Sequence, residues 1–271
     1  MTSQIAKRII QTGKSKDLPL VCRSAVATIR LLNPDYEYLF FDDQDVENFI
    51  DSQFPQYRPI FDGFPVRTQR YDFFRYLAVY HYGGFYFDLD IFLATGLDEL
   101  LQYPSVFPFE ELSVNRYLRN EYGLDWEIGN YAFGAAAGSP FLDAVIKNCI
   151  RAQQDPAWVK PMMDCFPKLY HDDYYVLNTT GPGLVTRTLA ECQERESAIQ
   201  VLFPQDVCDD KTWHQFGDYG VHLQHATWRK QKGFLRRRIL RMWETWIRDR
   251  LLPESQILGP ARSLQFGKPC A

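Results

Sequence analysis

The chain of 271 residues is 46% hydrophobic and 24% charged, a globular composition that excludes intrinsic disorder and a collagen-like repeat and accommodates one large core. Its formal net charge of −4 argues against a general nucleic-acid binder, and no apolar run matches a bilayer span or a secretory leader. Six cysteines without a CxxC pair or zinc-type spacing point to free thiols in a reducing compartment, so the expected location is cytoplasmic, or peripheral at the inner membrane face.

In chain order, Ala6 to Ile10 reads as a strand running into the turn Gln11-Thr12-Gly13, where backbone amides can approach a ligand. The run LVCRSAVATIRLL has helical spacing of Leu20, Val21, Ala25, Ile29 and Leu32, and Asn33-Pro34 closes it. Tyr36 to Phe41 is then a strand ending at Asp42-Asp43, so the chain opens as an α/β layer fold. Asp45 to Phe54 reads as a short helix and Gln56 to Phe64 as a loop rich in proline and aromatic residues. If the sheet is mostly parallel, Thr12, Asp42 and Asp88 gather at the edge where open α/β sheets bind ligands.

The segment from Arg67 to Leu93, RTQRYDFFRYLAVYHYGGFYFDLDIFL, is the centre of the chain. Asp72 to Tyr82 has helical spacing, with Asp72 and Arg75 able to share a face. After Gly83-Gly84, an aromatic strand ends in Asp88 and Asp90, and alternation puts both acids on one side. Two carboxylates at the end of a buried strand call for a divalent cation or a basic partner. An acid pair in a turn is the plain alternative. A phosphohydrolase of the haloacid dehalogenase type also uses Asp-x-Asp, with the first acid as nucleophile. That type has Thr or Val where Phe92 stands here.

Further on, a short helix is expected over Leu97 to Leu101 and strands over Val106 to Glu111, Asn130 to Ala137 and Val201 to Phe203. Ser139-Pro140 opens a helix, Pro156 to Tyr175 reads as irregular, and Asn178 to Gly183 is a turn before a helix from Leu184 to Glu194. Glu127 reads as an acid near Asn130 or, more simply, as a surface carboxylate. Gly217 to Trp228 carries two histidines and could close over the site. Beyond Trp228 the chain is rich in arginine and tryptophan, which suits either an interfacial helix on anionic lipid or a terminal helix docked by its tryptophans.

These segments resemble the DXD-containing glycosyltransferases typified by the fungal initiating α-1,6-mannosyltransferase and the bacterial capsular-polysaccharide transferases, distant relatives of the clostridial glucosylating toxins. The resemblance rests on AKRIIQT, NPDYEYLFFDD, YDFFRYLAVYHYGGFYFDLD, IGNYAFGAAAGSPF, TGPGLVTRTL and the spacing from His222 to Trp228, and covers about Lys7 to Trp228. It implies a GT-A, Rossmann-like α/β fold that transfers a hexose from a UDP- or GDP-sugar, with retention, to a glycan, lipid-linked or protein acceptor. It also implies bound Mn²⁺ or Mg²⁺, with Asp90 as principal ligand, Asp88 on metal or ribose, and His222 on the metal. By the same resemblance Asp72 and Arg75 hold the donor, Thr12 and Asn130 line its pocket, and Thr227 and Trp228 meet the diphosphate. Ile10 and Gly13 replace the family's usual His and Trp, Tyr71 precedes Asp72 where Ala is usual, and Thr227 stands for Ser. The expected organisation is a transferase domain over 1–228, a basic amphipathic helical segment over 229–252 and a loosely ordered tail over 253–271. A non-catalytic nucleotide-sugar-binding module is the remaining alternative.

Overall fold

Parallel pairing of β1 (Arg8–Thr12) with β2 (Glu37–Phe41) on one side and β3 (Gly84–Phe87) on the other forms the frame. This frame belongs to a computed structural model that describes residues 4–192, 199–223 and 234–251. The crossovers are α1 (Leu20–Leu32) and the succession α2 (Asp43–Gln53), α3 (Arg58–Gly63) and α4 (Arg67–Tyr82). The sheet runs β2-β1-β3-β7-β5-β6, with β5 (Ser105–Leu112), β6 (Trp126–Ile128) and β7 (Ala132–Ala135), and β8 (Gln200–Leu202) also pairs with β5. It is therefore mixed: β7 is antiparallel to β3 and to β5, while β8 is parallel to β5. Because β7 reverses twice, β5 runs in the direction of β3, and the C-terminal ends of β1, β2, β3 and β5 share one edge. The α/β class expected from the sequence is the one observed.

Helix α4 is buried on every side from Asp72 to Val79, and its buried polar residues Gln69, Asp72 and Arg75 are all paired. It is released into β3 by Gly83 and Gly84, whose φ angles are +66° and +112°. A Cβ on Gly84 would sit 2.5 Å from the carbonyl oxygen of Arg8, so only glycine lets β3 pair so closely with β1. Along β3, Phe85 and Phe87 enter one core layer and Tyr86 the other. A second, two-stranded ribbon pairs β4 (Ile91–Leu93) with β9 (Gly220–His222), setting His222 opposite Ile91.

Several expectations are corrected. Strand β1 extends to Thr12, because Gln11 and Thr12 pair with Phe40 and Phe41 where a turn was expected. Strand β3 stops at Phe87, and Asp88 to Asp90 form a turn closed by the Ile91 N–H on the Asp88 carbonyl at 3.2 Å. The turn, not strand alternation, brings the two acids together. The proline-rich loop is a 3₁₀ turn followed by α3, each with a proline in its first turn, where the missing N–H is harmless. The irregular stretch holds α7 (Pro156–Met163), capped by Asp155, and α8 (His171–Thr179). Around it lie α5 (Arg116–Tyr122), α6 (Pro140–Gln154) and α9 (Pro182–Glu191).

The last described element, α10 (Phe234–Leu251), is docked by Leu240, Trp243 and Ile247. Trp243 meets Phe166, Tyr170 and Tyr174 at 6.3–6.4 Å between ring centroids. The Tyr174 hydroxyl donates to Glu244 at 2.7 Å, and Arg248 pairs with Glu111 near the end of β5. Among the described residues no helix is long and apolar enough to cross a membrane. The expected tail over 253–271 lies outside the described residues.

Candidate active site

Two acids, a guanidinium and an amide from different elements meet at the C-terminal edge of the sheet. Arg75, one turn after Asp72 on α4, lies 3.2 Å from the Asp72 carboxylate and 3.3 Å from that of Asp88. It also donates to the Asn130 carbonyl at 2.7 Å and lies 4.7 Å from the centroid of the Tyr86 ring. Asp72 accepts in addition from the Thr180 hydroxyl at 2.8 Å and the Asn130 amide at 3.2 Å. Tyr76, the next helical turn, takes the second Asn130 amide hydrogen at 2.8 Å and donates to the Thr180 carbonyl at 2.6 Å. The Tyr86 hydroxyl donates to Asp88 at 2.8 Å. The network fixes Asp88 through Arg75 and Tyr86, at the start of the half-buried turn to Asp90.

Ribbon register supplies the third group. The Nε2 of His222 is 3.4 Å from Asp90, and one donor atom each from Asp88, Asp90 and His222 lie within 4.8 Å of one another. The imidazole stacks on Tyr131 with centroids 4.3 Å apart, and its Nδ1 is buried with no protein partner. Gln215 ties the two residues together, accepting the His222 backbone N–H on its side-chain oxygen at 3.1 Å and the Tyr131 hydroxyl on its carbonyl at 2.9 Å. Two carboxylates and an imidazole with an orphaned buried nitrogen suit a divalent cation.

Burial dominates the electrostatics. It pushes the Asp72 carboxyl up to about 6, against the opposing pull of Arg75 and Thr180. Asp88 is likewise raised by burial, opposed by Arg75 and reinforced by Asp90. Glu127, the suspected surface carboxylate, is buried, and desolvation raises it to about 8. It accepts from the Ser113 hydroxyl at 2.5 Å and lies toward Glu111, away from the Asp72–Asn130 network.

The structure thus brings Asp72, Arg75, Asp88, Asp90, Asn130 and His222 to one place. Thr12 sits at the same edge, but its hydroxyl is held by the Phe41 carbonyl at 2.9 Å. Its neighbour Gln11 instead reaches the Phe87 and Asp88 carbonyls at 3.3 Å and accepts from Tyr38 at 2.9 Å. Asp42 is a helix cap, engaged with Asp45. Thr227 and Trp228 lie outside the described residues. The sequence left Tyr76, Tyr86, Tyr131, Thr180 and Gln215 without roles. Tyr76 alone had a signal, one helical turn beyond Asp72.

Residues 19–107 match the family described as glycosyltransferase sugar-binding region containing DXD motif. The chain carries that region. Its Asp-x-Asp is Asp88-Leu89-Asp90 at the end of β3, and the sugar-binding region also includes the Asp72–Arg75 pair. Over 182 residues the chain is 32% identical to inositol phosphoceramide mannosyltransferase 3 of Schizosaccharomyces pombe, covering 67% of this chain and 44% of that one. Over 100 residues it is 43% identical to inositol phosphoceramide mannosyltransferase 2 of the same yeast, covering 37% of this chain and 29% of that one. The chain spans less than half the length of these relatives. Among solved structures it is similar to the PaToxG glycosyltransferase, at 15% identity over 70% of each chain with a TM-score of 0.48.

Proposed function

We propose that the chain is a metal-dependent, retaining glycosyltransferase that moves a hexose from a nucleotide-sugar donor to an acceptor hydroxyl. The observation that carries this reading is the cluster of Asp88, Asp90 and His222 set directly against the Asp72–Arg75–Asn130 network. Mannose is the first hexose to test and an inositol phosphoceramide the first acceptor, since the names of both yeast relatives state these.

Asp88, Asp90 and His222 would hold Mn²⁺ or Mg²⁺. When bound, the ion neutralises the diphosphate as it departs. Arg75 is committed to Asp72, Asp88 and the Asn130 carbonyl, so it acts as a positioning residue that keeps Asp88 ionised and aimed. Asn130 is aligned by Asp72 and Tyr76 on one side and Arg75 on the other, which fixes the floor of the donor pocket. Asp72, across Arg75 from Asp88, is engaged by Arg75, Thr180 and Asn130 and is given no role as a nucleophile. Retention is therefore assigned to attack on the face from which the diphosphate leaves, with rate gained through positioning.

The test is transfer from a panel of UDP- and GDP-hexoses to glycan and glycolipid acceptors, with the product anomer read by NMR. An α-linked product from an α-linked donor supports the reading. A β-linked product rules out retention.

A further inference from the structure

The outer side of α10 is as unusual as its docked side is ordinary. Ile239, Met242 and Trp246 follow one another along it and are exposed, Met242 by 64% and Trp246 by 49%. Arg238, Arg241 and Arg250 are exposed beside them, and Arg250 lies 3.7 Å from the centroid of the Trp246 ring. Asp249 is the one exposed acid among the described residues of this helix, since Glu244 is bonded to Tyr174. The inner row of Leu240, Trp243 and Ile247 already anchors the helix, so the outer row is surplus to docking.

The position of this row gives it meaning. Arg248 of α10 pairs with Glu111 near the C-terminal end of β5, which is the edge that carries Asp88. The first turn of α1 opens at the same edge with Leu20, exposed by 70%. Val221 and Leu223 are exposed on either side of His222, and the Leu223 N–H donates to the Asp90 carbonyl at 3.0 Å. Apolar side chains thus stand in water around the acid pair and again along α10.

We propose that this edge of the protein docks on an anionic lipid surface, with Ile239, Met242 and Trp246 entering the headgroup layer and Arg238, Arg241 and Arg250 meeting lipid phosphates. A protein partner would have to offer a matching run of acids, because like charge repeated along a contact needs its complement. Arginines interleaved with apolar residues and a tryptophan along one exposed face match an interfacial helix instead. The net charge of −4 does not oppose this, because only charges within about 8 Å of the surface are felt at physiological salt. Docking in this way would turn the acid pair toward hydroxyls presented from a membrane. That consequence rests on the transferase reading, whereas the docking itself does not.

Sedimentation of the full chain with phosphatidylcholine vesicles, with and without about one-third phosphatidylserine, tests the proposal. The expected result is salt-sensitive binding to the anionic vesicles, weakened about tenfold or more in Met242→Glu/Trp246→Glu and in Arg238→Gln/Arg241→Gln. Thermal melts that match the parent show that each variant folds. Donor cleavage in solution stays at the parental level in both, so loss of docking is separable from failure of the transferase reading. Absence of binding to anionic vesicles at low salt overturns the proposal, as does binding that neither variant weakens. Self-association of the parent that Met242→Glu/Trp246→Glu abolishes assigns the face to a second copy and overturns it equally.

Discussion

Arg75 pairs with Asp88 at 3.3 Å, joining the helix that precedes the central strand to the acid that ends it. The same guanidinium holds the Asn130 carbonyl, so removing it loosens the acid pair and Asn130 together. Arg75→Ala leaves Asp72 and Asp88 uncompensated and is expected to cost about 3–5 kcal/mol of stability by urea unfolding. Arg75→Lys keeps the charge but not the fork, and is expected to fold while losing roughly 100-fold in turnover.

Asp72 titrates within an accessible range. Its folded carboxyl is raised to about 6 from an ordinary value near 4, so the folded chain takes up its proton first. Stability from this group is fully present below the unfolded value and is lost as pH rises through 6. Activity has the opposite demand, because the ionised form pairs with Arg75. The profile of kcat/KM should fall on the acid side with a midpoint near 6, and Asp72→Asn should flatten that limb.

Glu127 gives a second, cleaner pH signature. With its carboxyl raised to about 8, it is protonated at neutral pH, and the folded chain loses stability as pH rises from the ordinary carboxylate range through 8. Glu127→Gln removes that loss. Its melting temperature should exceed the parent's by several degrees at pH 8 and differ little at pH 4.

Tyr131 is expected to tune metal binding without touching the ion. It stacks on His222 and is fixed through Gln215, so Tyr131→Ala frees the imidazole and should weaken Mn²⁺ binding about 10–100-fold by calorimetric titration. Tyr131→Phe keeps the stack and should retain most of the affinity.

The Asp72–Arg75 pair was legible because local spacing, one helical turn, sets it, and the acid pair because acids two apart at a strand end stay close, although a tight turn rather than strand alternation holds them. The alternating helices and strands of the first half were legible for the same reason. His222 could be named only through resemblance, since a ribbon joining residues 91–93 to 220–222 leaves no local trace. Thr180 was in view as part of a turn, but its bond to Asp72 spans 108 positions. The helices over 156–179 were hidden because proline and aromatic residues there signal a loop by composition, while burial of Trp158, Tyr170 and Tyr174 decides the outcome. Glu127 misled because an acid is usually exposed, and only packing shows that it is not.

Hydrolysis of a panel of nucleotide hexoses with Mn²⁺, comparing the parent with Asp90→Asn, tests the central claim most directly. Slow, metal-dependent cleavage of one donor, abolished in Asp90→Asn while the melting temperature is unchanged, is the predicted result. Cleavage of no donor together with no Mn²⁺ binding, or cleavage that persists in Asp90→Asn, would contradict the assignment of Asp88, Asp90 and His222 as the metal centre of a glycosyltransferase.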